Sequence, residues 1–204
     1  MSYADFDRRV LCGALLVISL LTTVSSSPAR ERDLASPYMA NVTVLIVRHA
    51  EKPGEGAELS PAGDARAVAY ARYFNPFTAG TAPFIPDTLI ASRETLRSDR
   101  PQLTLKPLGT ALGLPIDTRF ASGDVEALAD ELRANPHGKR ILIAWHHGHI
   151  PKLILALGGE PDVILQRDHW PRQVYDWVVE LRYDANGRLM AARRIAEDLP
   201  INVK

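Results

Sequence analysis

The sequence predicts an α/β domain, a three-layer α/β/α sandwich around a mostly parallel sheet with an antiparallel edge, and three observations carry this reading. Two short runs are almost wholly apolar and rich in β-branched residues, Val42 to Val47 and Ile141 to Trp145, as strands buried on both faces of a parallel sheet are. Helix signals alternate with the strand-like segments, which is the pattern of crossover connections. The last part reads as a hairpin: Val174 to Tyr183, a turn at Asp184-Ala185-Asn186-Gly187, and Leu189 to Ile195.

The elements between follow from local chemistry. Ser60 offers an N-cap and Pro61 suits a first helical turn, so a helix is expected from Pro61 to Phe74. Asp87 to Ser92 reads as a strand, and Pro101 to Leu112 as a helix that Pro107 should bend or interrupt, since proline lacks the interior donor. Leu114 to Asp117 is a further strand, Asp124 to Arg133 a helix, and Ile150 to Leu157 another.

At 204 residues, 46% of them hydrophobic, the chain has the material for one well-buried domain and not for a second. The formal net charge of zero excludes a global attraction to nucleic acid or to anionic membranes. Arg8 and Arg9 precede an apolar stretch from Val10 to Val24, followed by Ser25-Ser26-Ser27-Pro28. Residues 1–27 therefore read as an export signal or a short membrane anchor, the stretch being shorter than the roughly 20 residues of a spanning helix. The expected location is periplasmic or secreted. Residues 28–40 read as a linker and residues 41–204 as the domain. The one cysteine, Cys12, lies in the leader, so a chain cut after it has neither a disulfide nor a thiol nucleophile.

Ligands of open α/β sheets bind at the carboxyl ends of the strands. That rule gathers Arg48 and His49 after the first strand, Arg93, Arg97 and Arg100 after the second, and His146 and His147 after the later one. Guanidinium groups suit a phosphoryl dianion, each charge at about 4 Å contributing on the order of 4 kcal/mol at an effective dielectric near 20. A neutral imidazole beside them is a competent nucleophile, and the set describes an anion pocket.

Arg48-His49-Ala50-Glu51 resembles the Arg-His-Gly signature of the histidine phosphatase superfamily, the phosphoglycerate-mutase-like fold, with Ala in the Gly position. Leu59-Ser60-Pro61-Ala62-Gly63 is similar to the Leu-Thr-x-x-Gly that opens its first helix. Arg100-Pro101-Gln102-Leu103-Thr104 is similar to its Arg-x-x-x-Thr segment, and Ile143 to Gly148 to the strand presenting its second histidine. The resemblance covers Val42 to Val179. It implies that His49 becomes phosphorylated, that Arg48 and Arg100 bind the phosphoryl oxygens, and that His147 donates to the same group. Of the adjacent histidines His147 is preferred, because Gly148 follows it and strand alternation turns His146 to the other side.

Two departures from the family pattern stand out. The serine expected four residues before the second arginine is Leu96 here and the nearest match is Ser92, so Arg93 and Arg97 compete with Arg100. No unique general acid emerges: Glu126 and Asp124 are preferred, with Glu51 and Asp117 as further candidates.

The expected activity is hydrolysis of phosphate monoesters through a phosphohistidine, with no cofactor and no metal. The substrate is a phosphorylated small molecule or a phosphoprotein; nucleic acid and membrane are not partners, apart from an N-terminal anchor. A metal-dependent hydrolase would draw ligands from His49, His146, His147 and His149, of which His147 and His149 share a strand face, but acidic ligand pairs are missing and the arginines repel a cation. A non-catalytic phospholigand-binding module and a phosphoglycerate-mutase-type phosphotransferase remain as alternatives.

Overall fold

A computed structural model describes residues 35–93, 95–96 and 98–201, of which the domain forms one compact unit. The expected leader over residues 1–27, the first part of the linker, and Arg97 lie outside the described residues. No helix among those described is long and apolar enough to cross a membrane.

Six strands form one sheet: β1 (Thr43–Arg48), β2 (Thr88–Ala91), β3 (Ile116–Asp117), β4 (Arg140–Trp145), β5 (Trp177–Tyr183) and β6 (Leu189–Ala196). The spatial order is β3-β2-β4-β1-β5-β6, with the first four parallel and β5 and β6 antiparallel. The helices are α1 (Pro61–Tyr73), α2 (Arg100–Leu112), α3 (Val125–Ala134), α4 (Ile150–Ala156) and α5 (Pro161–Leu165).

Alternation along the two central strands divides the core. Val44, Ile46, Ile141, Ile143 and Trp145 face α3, α4 and α5, whereas Leu45, Val47, Leu142 and Ala144 face α1 and α2. Both faces of β1 and β4 are dry, which explains their unbroken apolar runs. The expected three-layer fold with an antiparallel edge is the observed one.

Four local expectations change. Pro107 does not interrupt α2, where Leu105 and Leu108 are fully buried on either side of it; packing holds the helix where one backbone bond is lost. Strand β5 begins at Trp177 instead of Val174, because the carbonyls of Arg172 and Val174 turn to the Arg48 guanidinium and leave the ladder. The last residues of the expected linker belong to the domain: Pro37–Met39 is a 3-10 turn, Met39 enters the core, and Ser36 Oγ donates to the Arg133 carbonyl at 2.5 Å. Helix α5 was not foreseen; it is five residues long and too short to show a period.

Gly63 explains one sequence signal physically. A Cβ there would be driven into the backbone carbonyl of Glu51, whose oxygen already accepts the Ser60 N–H at 2.9 Å. The start of α1 thus lies directly against the loop that follows His49. Gly63→Ala is expected to cost about 1–3 kcal/mol of stability despite alanine's better helix propensity, as overpacking does. A urea midpoint equal to that of the unsubstituted protein would contradict this close approach.

Candidate active site

Strand β1 ends at Arg48 directly beside Trp145 of β4, and the His49 N–H donates to the Trp145 carbonyl at 2.9 Å. Parallel pairing therefore delivers His49 and the histidines after Trp145 to the same rim. One nitrogen from each of His49, His146 and His147 lies within 4.8 Å of the others. The rings of His49 and His146 are 5.8 Å apart and those of His146 and His147 are 4.4 Å apart.

His146 was expected to point away, and here the structure corrects the sequence reading. Strand β4 stops at Trp145, so alternation ends one residue too early to govern His146, and the chain turns there. Trp145 takes the opposite side, its indole N–H bonded to the Ser122 carbonyl at 2.9 Å. His147 is also at the site, as expected.

Hydrogen bonds fix two tautomers. His49 Nδ1 lies 2.7 Å from the Ala50 carbonyl, which can only accept, so Nδ1 carries the proton and the Nε2 lone pair is open. The Gly148 N–H donates to His146 Nδ1 at 3.2 Å, which puts the neutral ring's proton on Nε2. One ring thus presents a lone pair and its neighbour a donor. No hydrogen bond fixes His147 in this way: its buried Nδ1 has no partner among the described residues.

Arg48 is 1% exposed, with Nη1 donating to the carbonyls of Arg172 at 2.5 Å and Val174 at 2.9 Å. Its guanidinium carbon sits 3.7 Å from the Tyr175 ring centroid, in cation–π contact. The buried Nε has no partner among the described residues. Arg100 opens α2 and donates to the Gly56 carbonyl at 2.9 Å. Thr104 ties that helix to the loop after His49: it accepts the Ala50 N–H at 2.8 Å and donates to the Arg100 carbonyl at 2.7 Å.

The charges acting on the histidines are cations. Burial first, opposed by the hydrogen bond to Ala50 and helped by the charges of Arg48 and Arg100, lowers His49 to about 3. Burial, with His149, Arg48, Arg100 and Lys52, lowers His146 to about 4, and burial, with Arg48, His146, Arg172 and Lys52, lowers His147 to about 3. All three are neutral at neutral pH. Burial likewise lowers Arg48 to about 10, leaving it charged.

None of the four acid candidates contributes an oxygen to the cluster of His49, His146 and His147 nitrogens. Both oxygens of Glu51 accept from Arg66 at 2.8 to 3.0 Å. Arg66 also pairs with buried Glu197 at 2.5 Å, and Glu197 accepts the Tyr70 hydroxyl at 2.5 Å. Burial raises Glu197 to about 7 against the pull of Arg66. Asp117 is held by the backbone and side chain of Arg119 on the edge strand β3. Asp124 accepts the Ala121 N–H at 2.9 Å and lies 3.7 Å from Arg93. Glu126 is exposed on the first turn of α3. Ser92 is buried at the end of β2, its N–H bonded to the Ala144 carbonyl at 3.2 Å.

No protein-family model and no curated protein matches this chain. Solved structures do. A candidate α-ribazole-5′-P phosphatase from Escherichia coli superposes with a TM-score of 0.55 at 14% identity, covering 79% of this chain and all of that one (100%). A candidate phosphohistidine phosphatase SixA from Agrobacterium tumefaciens matches at 21% identity and TM-score 0.48, over 74% of this chain and 97% of that one. A mycobacterial glucosyl-3-phosphoglycerate phosphatase matches at 16% identity and TM-score 0.49, over 78% and 99%. The first superposition shows a shared fold.

The lowered histidines set an acid limit on the fold. The unfolded chain takes up protons near pH 6.5, where the folded imidazoles refuse them, so stability is full above that value and falls as pH drops toward 4 and 3. Urea midpoints are expected to decline steadily between pH 7 and pH 4.5, and His49→Gln to flatten the decline. A midpoint independent of pH across this window would contradict the burial of neutral rings.

Proposed function

We propose that this chain, which has the phosphoglycerate-mutase-like fold of the histidine phosphatase superfamily, hydrolyses phosphate monoesters through a phosphohistidine formed on His49, without a metal. The observation that carries the reading is the bond from His49 Nδ1 to the Ala50 carbonyl. It leaves Nε2 unprotonated among two imidazoles and an arginine-rich rim.

The steps follow from the residues. A phosphoryl group at the rim takes hydrogen bonds from Arg48, Arg100 and the Nε2–H of His146, and their positive charge offsets its own. Nε2 of His49 attacks phosphorus in line as the ester P–O bond breaks. Water then displaces His49 and releases inorganic phosphate. Preorganisation is the source of rate: Arg48 is locked by two carbonyls and a tyrosine face, so little reorganisation accompanies charge movement.

Arg48, Arg100, Lys52 and Arg172, which add to burial in keeping the rings neutral, also oppose a divalent cation. The apolar run from Val10 to Val24 supports an exported enzyme. A phosphorylated small molecule or a phosphoprotein fits the chemistry of the rim.

Turnover of p-nitrophenyl phosphate is expected to survive a chelator and to fall at least about 1,000-fold in His49→Ala, with an acid-labile phosphoenzyme trapped only in the unsubstituted protein. Arg100→Ala should lose about 10- to 1,000-fold. Retention of a tenth of the rate by His49→Ala would refute the nucleophile, and loss of activity to the chelator would refute metal independence.

A further inference from the structure

Among the described residues no carboxylate oxygen joins the cluster of imidazole nitrogens. Glu51 and Asp117 are engaged by arginines, Asp124 by the Ala121 N–H, and Glu126 faces outward on α3. What adjoins His49 instead is a third imidazole. His147 is half-buried, and one of its nitrogens lies within 4.8 Å of nitrogens of both His49 and His146. His146 has its Nδ1 satisfied by Gly148, whereas the buried Nδ1 of His147 has no partner among the described residues. Buried polar atoms are nearly always paired, and the exceptions collect where a reaction or a ligand supplies the partner.

We infer that His147 is the general acid and base of this site, giving a proton to the leaving oxygen and then taking one from the attacking water. The assignment rests on the phosphohistidine reading above and deepens it.

The groups that act on His147 are Arg48 from the end of β1, Lys52 from the loop beyond it, Arg172 from the segment before β5, and the neighbouring His146 and His49. Burial first, and then these charges, leave the ring neutral. A phosphate monoanion reverses the local field and carries its own proton, its second ionisation lying near pH 6. Transfer of that proton to His147 leaves a bound dianion beside an imidazolium. The His49 Nε2 lone pair then forms the P–N bond, the ester P–O bond breaks with its electrons on the leaving oxygen, and the His147 proton converts that oxygen to the alcohol. In the second half a water oxygen bonds to phosphorus as P–N breaks, and the water proton passes to His147. It leaves with phosphate as the monoanion. One ester monoanion and one water give one alcohol and one phosphate monoanion, so no further reactant is required.

The test compares an alkyl phosphate, whose leaving oxygen must be protonated, with p-nitrophenyl phosphate, whose leaving group departs as an anion. In full-length His147→Gln and His147→Asn, kcat/KM for the alkyl ester is expected to fall about 100- to 10,000-fold and for the aryl ester less than tenfold. A far-UV circular dichroism spectrum equal to that of the unsubstituted protein shows that the variants are folded. In the unsubstituted protein, kcat/KM across a series of aryl esters is expected to change little with leaving-group basicity, a readout that needs no variant. A steep decline across that series, or an equal loss on both esters in folded variants, overturns the assignment alone. Absence of turnover of either ester by the unsubstituted protein overturns the phosphatase reading together with it.

Discussion

The parallel pairing of β1 with β4 is the constraint on which the rest of the molecule depends. Thr43 to Arg48 run beside Arg140 to Trp145 in one register, and the bond from the His49 N–H to the Trp145 carbonyl extends the pairing one residue past the strand. A slip of one residue would exchange the two buried faces of both strands, so the core itself enforces the alignment. Residues about a hundred positions apart therefore meet at a separation set by the interstrand distance. The surrounding contacts, Gly63 against Glu51 and Thr104 between Ala50 and Arg100, secure the loop that the pairing has already placed.

Burial and charge are opposed at this rim, and the opposition gives the site its character. A guanidinium and three imidazoles are brought together, and Arg48 is held by carbonyl dipoles and an aromatic face in place of a hydrogen-bonded carboxylate. A carboxylate partner would have neutralised Arg48 before any anion arrived. Carbonyls orient it and leave its charge available, at the expense of the first residues of β5.

Much of this was legible in the sequence. The two dry strands, the capped helix at Ser60 and the hairpin turn each carry a local signal that tertiary packing reinforces. Arg48, His49 and Arg100 followed from strand ends and motif spacing. His146 was misplaced because alternation was extended beyond a strand whose end no residue marks. The start of β5 was overextended because Val174 is β-branched, and nothing local reveals that its carbonyl serves a side chain more than a hundred residues away. The arginine partners of Glu51 and Asp117 carry no local signal, because their pairing depends on the folded chain.

The chain of Glu51, Arg66 and Glu197 joins the loop after His49 to the segment after β6. Arg66 is shared between two carboxylates, and Glu197 is 3% exposed with a tyrosine hydroxyl as its second partner. Loss of Arg66 would leave Glu197 a buried carboxylate with only the tyrosine hydroxyl beside it. A single guanidinium thus links the conformation of the loop after residue 49 to a carboxylate beyond the last strand.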